Sequence, residues 1–200
     1  MRFGILKLDE IVEEVENGRI ILIEEVGDIG FRLALKFLKN ALNSGYDVYA
    51  IVPSRLRRDI EKEMRCEVIT PNKDFTLHEL FTISLTVKKI GDRVGLFNIL
   101  QNLLTIHSAE KIYQLFQEIC EIVRDKRGIM IVMIDKRLLN SSALAMFESE
   151  SDYVIDLEER INGLKVKRGI RIKKNPKKPP SDFYELIIAG KDIDVGNRIE

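Results

Sequence analysis

The sequence has no tryptophan, two histidines and two cysteines in 200 residues, and its 32 basic side chains cancel its 32 acidic ones. Each shortage closes off a class of chemistry. His78 and His107 have no cysteine or histidine at ligand spacing, so no metal centre is expected. Two histidines among many serines define no Ser–His–Asp arrangement. Cys66 and Cys120 stand far apart in no metal-binding pattern. They read as reduced, buried, small apolar residues, and spacing leaves open whether they are bridged. Zero net charge gives no general drive toward nucleic acid or membrane. The longest apolar run, GIMIVMI at 128–134, is far short of a bilayer span, which needs about 20 residues. The N-terminus carries no apolar signal segment. A soluble, cytoplasmic chain is expected.

What is present is a dense, balanced surface: 45% of residues are hydrophobic and 32% charged. Such a composition fits a hyperthermophile, and the length fits one domain over residues 1–200. Apolar positions at helical spacing predict a helix over 5–16, ended by Asn17-Gly18. Residues 19–24 are apolar on both faces, as in a parallel strand covered by helices on each side. A helix over 31–43, a strand over 47–52, a polar helix over 55–65 and a strand over 66–70 follow. Thr76 and Glu79 have the spacing of a capping box for a helix running to about Ile90. Then come a strand at 93–99, a helix at 109–125 capped by Ser108, the buried strand at 128–134 and a helix at 137–149. After residue 150 the period changes to two, with Asn162-Gly163 as a hairpin turn and a last strand at 183–190.

Several of these words, in this order, resemble the KaiC-like branch of the RecA superfamily of ATPases. GRIILIEE…LALKFLKNALNSGYDVYAIV is similar to its first strand, phosphate loop, helix and second strand. RVGLFNIL is similar to its Walker B strand, and DYVIDLEERINGLKVKRGIRIKKN…FYELIIAGKDIDV to its closing hairpins. The resemblance covers nearly the whole chain. It implies an α/β, three-layer RecA-like (P-loop NTPase-type) sandwich, with a mostly parallel sheet and a C-terminal antiparallel hairpin extension. Within that branch the chain looks most like a group from hyperthermophilic archaea that lacks the nucleotide motifs.

A working phosphate loop reads GxxxxGK[S/T]: backbone N–H groups cradle the phosphates, the lysine meets the β/γ oxygens and the hydroxyl holds Mg²⁺. Registered on LALKFL, the motif falls on Glu24 to Phe31. Glu24 stands for the first glycine, Ile29 for the second, Gly30 for the lysine and Phe31 for the hydroxyl; only Gly27 matches. The Walker B carboxylate falls on Asn98, and the carboxylate pair that would polarise water falls on Ser54-Arg55. The basic residues that would act in trans fall on Lys173, Lys174 and Asn175. ATP would bring about four negative charges to a turn that already holds Glu24, Glu25 and Asp28. Each close like-charge pair costs roughly 1 to 4 kcal/mol. Arg32 is the one nearby cation in sequence. The helix start keeps its bare N–H groups, and a carboxylate of the turn, Glu24 or Glu25, is expected to take the place of phosphate on them.

Two basic clusters remain. Lys165, Lys167, Arg171 and Lys173 share one face of a predicted strand, and Lys174, Lys177 and Lys178 continue it. They could contact phosphates, but no aromatics are interleaved and Asp152, Asp156, Glu158 and Glu159 flank them. Protection of an edge strand accounts for them better. Arg55, Arg57 and Arg58 open the polar helix, where pairing with Asp59, Glu61 and Glu63 is the simpler account. Ligands of open α/β sheets bind at the carboxyl ends of the strands, so residues 25–30, 53–58 and 98–107 are expected to gather there, with Ser54, Arg55, Arg58 and Asn98 as the candidate crevice. The expectation is a non-catalytic pseudo-ATPase, without cofactor, that serves as a protein- or peptide-interaction module or assembles with itself. The alternatives are an atypical ATPase and a nucleic-acid binder using the basic hairpin.

Overall fold

The computed structural model describes every residue except Asp28, Gly163, Leu164, Lys191 and Glu200, and omits the side chains of Asn162 and Lys165. Among the described residues the chain runs α1 (Leu6–Val12), β1 (Arg19–Glu25), α2 (Ile29–Asn43), β2 (Val48–Ile51), α3 (Arg57–Glu63), β3 (Glu67–Ile69), α4 (Leu80–Ile90) and β4 (Val94–Phe97). It continues α5 (Leu100–Leu104), α6 (Ala109–Lys126), β5 (Ile129–Asp135), α7 (Ser141–Glu150), β6 (Tyr153–Asn162), β7 (Lys165–Lys174), β8 (Tyr184–Ala189) and β9 (Asp192–Arg198). These strands form a single sheet in the order β3-β2-β4-β5-β1-β6-β7-β8-β9. Every pairing from β3 through β6 is parallel, and β7, β8 and β9 add on antiparallel.

The sheet divides the core because successive side chains of a strand point to opposite faces. Ile21 and Ile23 of β1 pack with Leu33 and Phe37 of α2, and with α1 and α3. Ile20 and Leu22 pack on the other face with Ile112 and Ile119 of α6, and with α4, α5 and Phe147 of α7. Two helical layers thus enclose a mostly parallel sheet, which explains why β1 and β5 read as unbroken apolar runs.

The differences from the expected elements have local causes. α1 stops at Val12, before the predicted boundary, because Glu13 takes φ +66°. Val15 is still buried, so the apolar period reads on past a helix that has ended. The Thr76–Glu79 box does not form. The Glu79 carboxylate accepts the Thr82 hydroxyl at 3.1 Å, and α4 starts only at Leu80. Ser108 does precede α6 but its side chain makes no cap hydrogen bond. The polar helix opens with a 3₁₀ turn, Ser54–Leu56. α5 is too short to show a period, and β9 was hidden by its aspartates. The expected turn at Asn162-Gly163 lies outside the described residues, except for the backbone of Asn162.

Two further expectations are settled by position. The basic strand is an edge only in part: β7 lies between β6 and β8, and the sheet ends in β3 and β9. The contact with β8 runs through Gly169↔Glu185 and Ile170↔Tyr184. Cys66 and Cys120 are not bridged. Burial pushes the Cys66 thiol up to about 11 and the Cys120 thiol up to about 12, so both stay protonated.

Gly95 of β4 lies opposite Tyr49 of β2, whose ring covers it. A Cβ at position 95 would stand 1.9 Å from Cζ of that ring. Gly95→Ala is therefore expected to lower stability by at least the ~1–3 kcal/mol usual for overpacking. Urea denaturation of the variant checks this, and an unchanged midpoint would contradict it.

Candidate functional site

β1 ends with two carboxylates at adjacent positions, so the pleat sends them to opposite faces. Glu25 follows Ile21 and Ile23 toward α2, and Glu24 follows Ile20 and Leu22 toward α6 and α7. Glu24 is 0% and Glu25 1% exposed.

Glu25 meets the start of α2. The first N–H groups of a helix have no partner within it, and the dipole favours an anion there. Oε2 of Glu25 accepts the Gly30 N–H at 2.8 Å, in a buried contact. Of the two carboxylates expected to meet the helix start, Glu25 is the one that does. Two glycines permit it. Gly27 has φ +80°, which turns the strand sharply into the helix. Gly30, at the motif's lysine position, leaves room for the carboxylate: a Cβ there would stand 2.8 Å from Oε2 of Glu25 and 2.9 Å from Cγ2 of Ile23. Asp135 at the end of β5 accepts the Arg137 backbone N–H at 3.0 Å and its Nε at 2.9 Å. The Arg137 guanidinium, more than the Gly27 N–H that also reaches it, holds the Asp135 carboxyl below its ordinary range.

Glu24 meets β7. Lys173 donates to Oε2 of Glu24 at 3.0 Å and also to the Glu148 carboxylate of α7. Lys173 reaches both because the β6–β7 register shifts between Val154 and Ile155, where it is the extra residue of a bulge. Burial first, then hydrogen bonding with Glu148, push the Glu24 carboxyl up to about 7 against the pull of Lys173. Glu148 moves the other way: burial raises it, but its bonds to Glu24 and Lys173 prevail and hold it low. The neighbouring cations are engaged too. Lys174 donates to the Glu148 and Ser149 carbonyls, and Asn175 to the Val12 carbonyl. Arg171 bonds Asp156 at 2.9 Å and lies over the Phe183 ring. Lys167 is exposed, and the Lys165 side chain lies outside the description.

The expected crevice at the carboxyl ends of the strands exists, with altered membership. A cleft of about 410 Å³ lies there, lined by Gly27 after β1, Arg55 after β2, Gln101 and Asn102 of α5, and Asp135 and Arg137 after β5. The expected stretches 25–30, 53–58 and 98–107 all reach it, but of the four residues singled out only Arg55 lines it. The Ser54 hydroxyl donates to the Pro71 carbonyl at 3.2 Å, Arg58 is exposed on α3, and Asn98 is buried at the end of β4. Arg57 carries the expected pairing to Glu61 at 2.8 Å. A second groove, of about 620 Å³, runs between α2, α3 and β9 and includes Phe31 and Arg32. Arg32 donates to the Gly190 carbonyl. Asp28 lies outside the described residues. Sequence reasoning missed Asp135 and Arg137, whereas Gln101 and Asn102 fall within the expected stretch 98–107. The Asp-Lys-Arg that closes the most apolar strand was a readable signal.

The strand order, the helical layers and the β1–α2 turn define an α/β fold of the RecA type. In structure the chain is similar to a KaiC-like protein from the hyperthermophilic archaeon Pyrococcus horikoshii OT3, with a TM-score of 0.74 over 98% of this chain and 97% of that one. The two are 22% identical, so the likeness is one of fold. No protein-family model and no curated protein matches the sequence. Among the described residues no helix is long and apolar enough to cross a membrane.

Two outcomes follow from the paired carboxylates. Glu25→Ala should destabilise by about 0.5–2 kcal/mol, the range for a lost helix cap; an unaltered urea midpoint would refute the cap. For Glu24, the folded chain keeps a proton that the unfolded chain releases between about 4.5 and 7. Its contribution is complete below the lower value and is lost as pH rises through the upper one. Glu148, held low, acts oppositely and below its ordinary range. Wild type should therefore lose thermal stability relative to Glu24→Gln between pH 4.5 and pH 7. A difference in melting temperature that stays constant across that window would exclude the shift.

Proposed function

We propose that this chain is a pseudo-ATPase: a RecA-type scaffold without nucleotide chemistry, which works by binding a protein or peptide or by assembly. One observation carries the reading. The buried Glu25 carboxylate lies 2.8 Å from the Gly30 N–H, on the helix start to which a nucleotide's phosphates would have to bind. A phosphate arriving there meets an anion instead of a lysine, in a setting where water screens poorly. Other features support it. Asn98 is a neutral residue at the magnesium-binding position, and Lys173 is committed to Glu24 and Glu148. The nucleic-acid reading loses support because Arg171, Lys173 and Lys174 are all bound within the chain.

ATP with Mg²⁺ tests the reading. A ligand at 100 times its Kd adds about 2.7 kcal/mol of stability, which a melting scan resolves. Millimolar Mg-ATP is expected to leave the melting temperature unchanged. A saturable rise that disappears in Arg32→Ala would overturn the pseudo-ATPase.

A further inference from the structure

β7 is paired along its length on one side and over only part of it on the other. Toward β6 the register runs without a break from Ile155↔Ile172 to Asn162↔Lys165. Toward β8 it consists of Gly169↔Glu185 and Ile170↔Tyr184. The Ile172 N–H donates to the Ser181 hydroxyl and the Ile172 carbonyl accepts the Ser181 N–H, each at 2.9 Å, so both groups point away from β6. In an antiparallel strand this direction alternates from residue to residue. The main-chain groups of Ile170, Arg168 and Val166 therefore point the same way, and of these three only Ile170 has β8 opposite it. Among the described residues no strand lies beside Val166 and Arg168 on that side.

A pocket of about 460 Å³ adjoins this free edge. Ile161, Phe183 and Ile199 give it apolar walls, with Arg160, Lys167 and Arg168 around them. Ile161 and Val166 are register partners, 77% and 44% exposed, so the same stretch presents an apolar pair to solvent. Its cations are unequal. Arg160 bonds Glu158 and Arg168 bonds Glu159, both at 3.1 Å. Lys167 is exposed and forms no ion pair with a described residue.

These features select the occupant. Main-chain donors and acceptors in alternation at strand spacing are matched by another extended main chain, which adds as a strand and places its side chains in adjoining pockets. A phosphate chain has no donors for the carbonyls and would find one uncommitted cation. A second copy pairing antiparallel about this edge would set Lys167 opposite its own counterpart, and like charges directly opposite are destabilising. A lysine on an edge thus excludes the chain's own edge while favouring an acidic one.

We infer that the free edge of β7 at Val166–Arg168 is a strand-addition site for an extended segment of another protein, with a carboxylate opposite Lys167 and an apolar side chain for the pocket of Ile161, Phe183 and Ile199. The inference rests on the scaffold reading above and gives the scaffold its binding surface.

A short synthetic peptide alternating glutamate with valine and phenylalanine, titrated by fluorescence polarisation into the full chain, tests it. The peptide should bind wild type saturably. It should bind Val166→Pro at least about tenfold more weakly, since proline removes an N–H that β6 does not use. Lys167→Glu should weaken it too, and should favour the peptide with lysine in place of glutamate. Should Val166→Pro not fold, the same peptide N-methylated at alternate residues reports on wild type: methylation on the bonding side should abolish binding. The site would be overturned by absence of binding at millimolar peptide, by equal affinity for Val166→Pro, or by indifference to N-methylation. It would also be overturned by self-association in analytical ultracentrifugation that Val166→Pro abolishes, which would give the edge to a second copy. None of these outcomes touches the scaffold reading, which stabilisation by Mg-ATP would remove whether or not peptide binds.

Discussion

A helix that starts beneath the central strand of a parallel sheet turns its unpaired N–H groups toward whatever leaves that strand. Here the strand delivers the Glu25 carboxylate to them, and its hydrogen bond with the Gly30 N–H caps the start of α2. The pleat then decides the fate of Glu24. It must face the opposite layer, where a buried acid needs a cation, and the β7 bulge supplies Lys173.

The acidic residues Glu24 of β1, Asp135 of β5 and Asp156 of β6 thus divide their work by face. Toward α7, Glu24 and Asp156 recruit Lys173, Arg171 and Lys136, which ties the antiparallel extension to the parallel body. At the cleft, Asp135 holds Arg137 beside the β1–α2 turn. A basic strip that looks available to a partner in one dimension is, in three, the fastening between two parts of one sheet. Lys167, Lys174 and Lys177 of the strip remain exposed.

Much of this was legible in the residues. Unbroken apolar runs at β1 and β5 announced a sheet covered on both faces, and the change to period two after residue 150 announced the antiparallel extension. The carboxylate that meets the helix start could be read as well. What escaped had physical reasons. Pairing across 149 residues, as between Glu24 and Lys173, leaves no local trace. The alternation of β7 suggested an edge strand because a strand with one polar face looks the same whether or not a neighbour is bonded to it; β8 and β9 lie beyond it. The Thr76–Glu79 spacing fitted a cap that a competing Thr82 hydroxyl displaced. The candidate crevice was located at the strand ends, in stretches that do reach it, but the part of its lining that follows β5, Asp135 and Arg137, was not foreseen.

The geometry at Gly30 also sets an order on sequence change. A lysine introduced at position 30 would bring a Cβ to 2.8 Å from the Glu25 carboxylate and 2.9 Å from Ile23. That substitution is obstructed while Glu25 remains, and removing Glu25 first leaves the helix start without its cap. Either first step passes through a less stable chain. Positions 25 and 30 can therefore be exchanged without loss of stability only together.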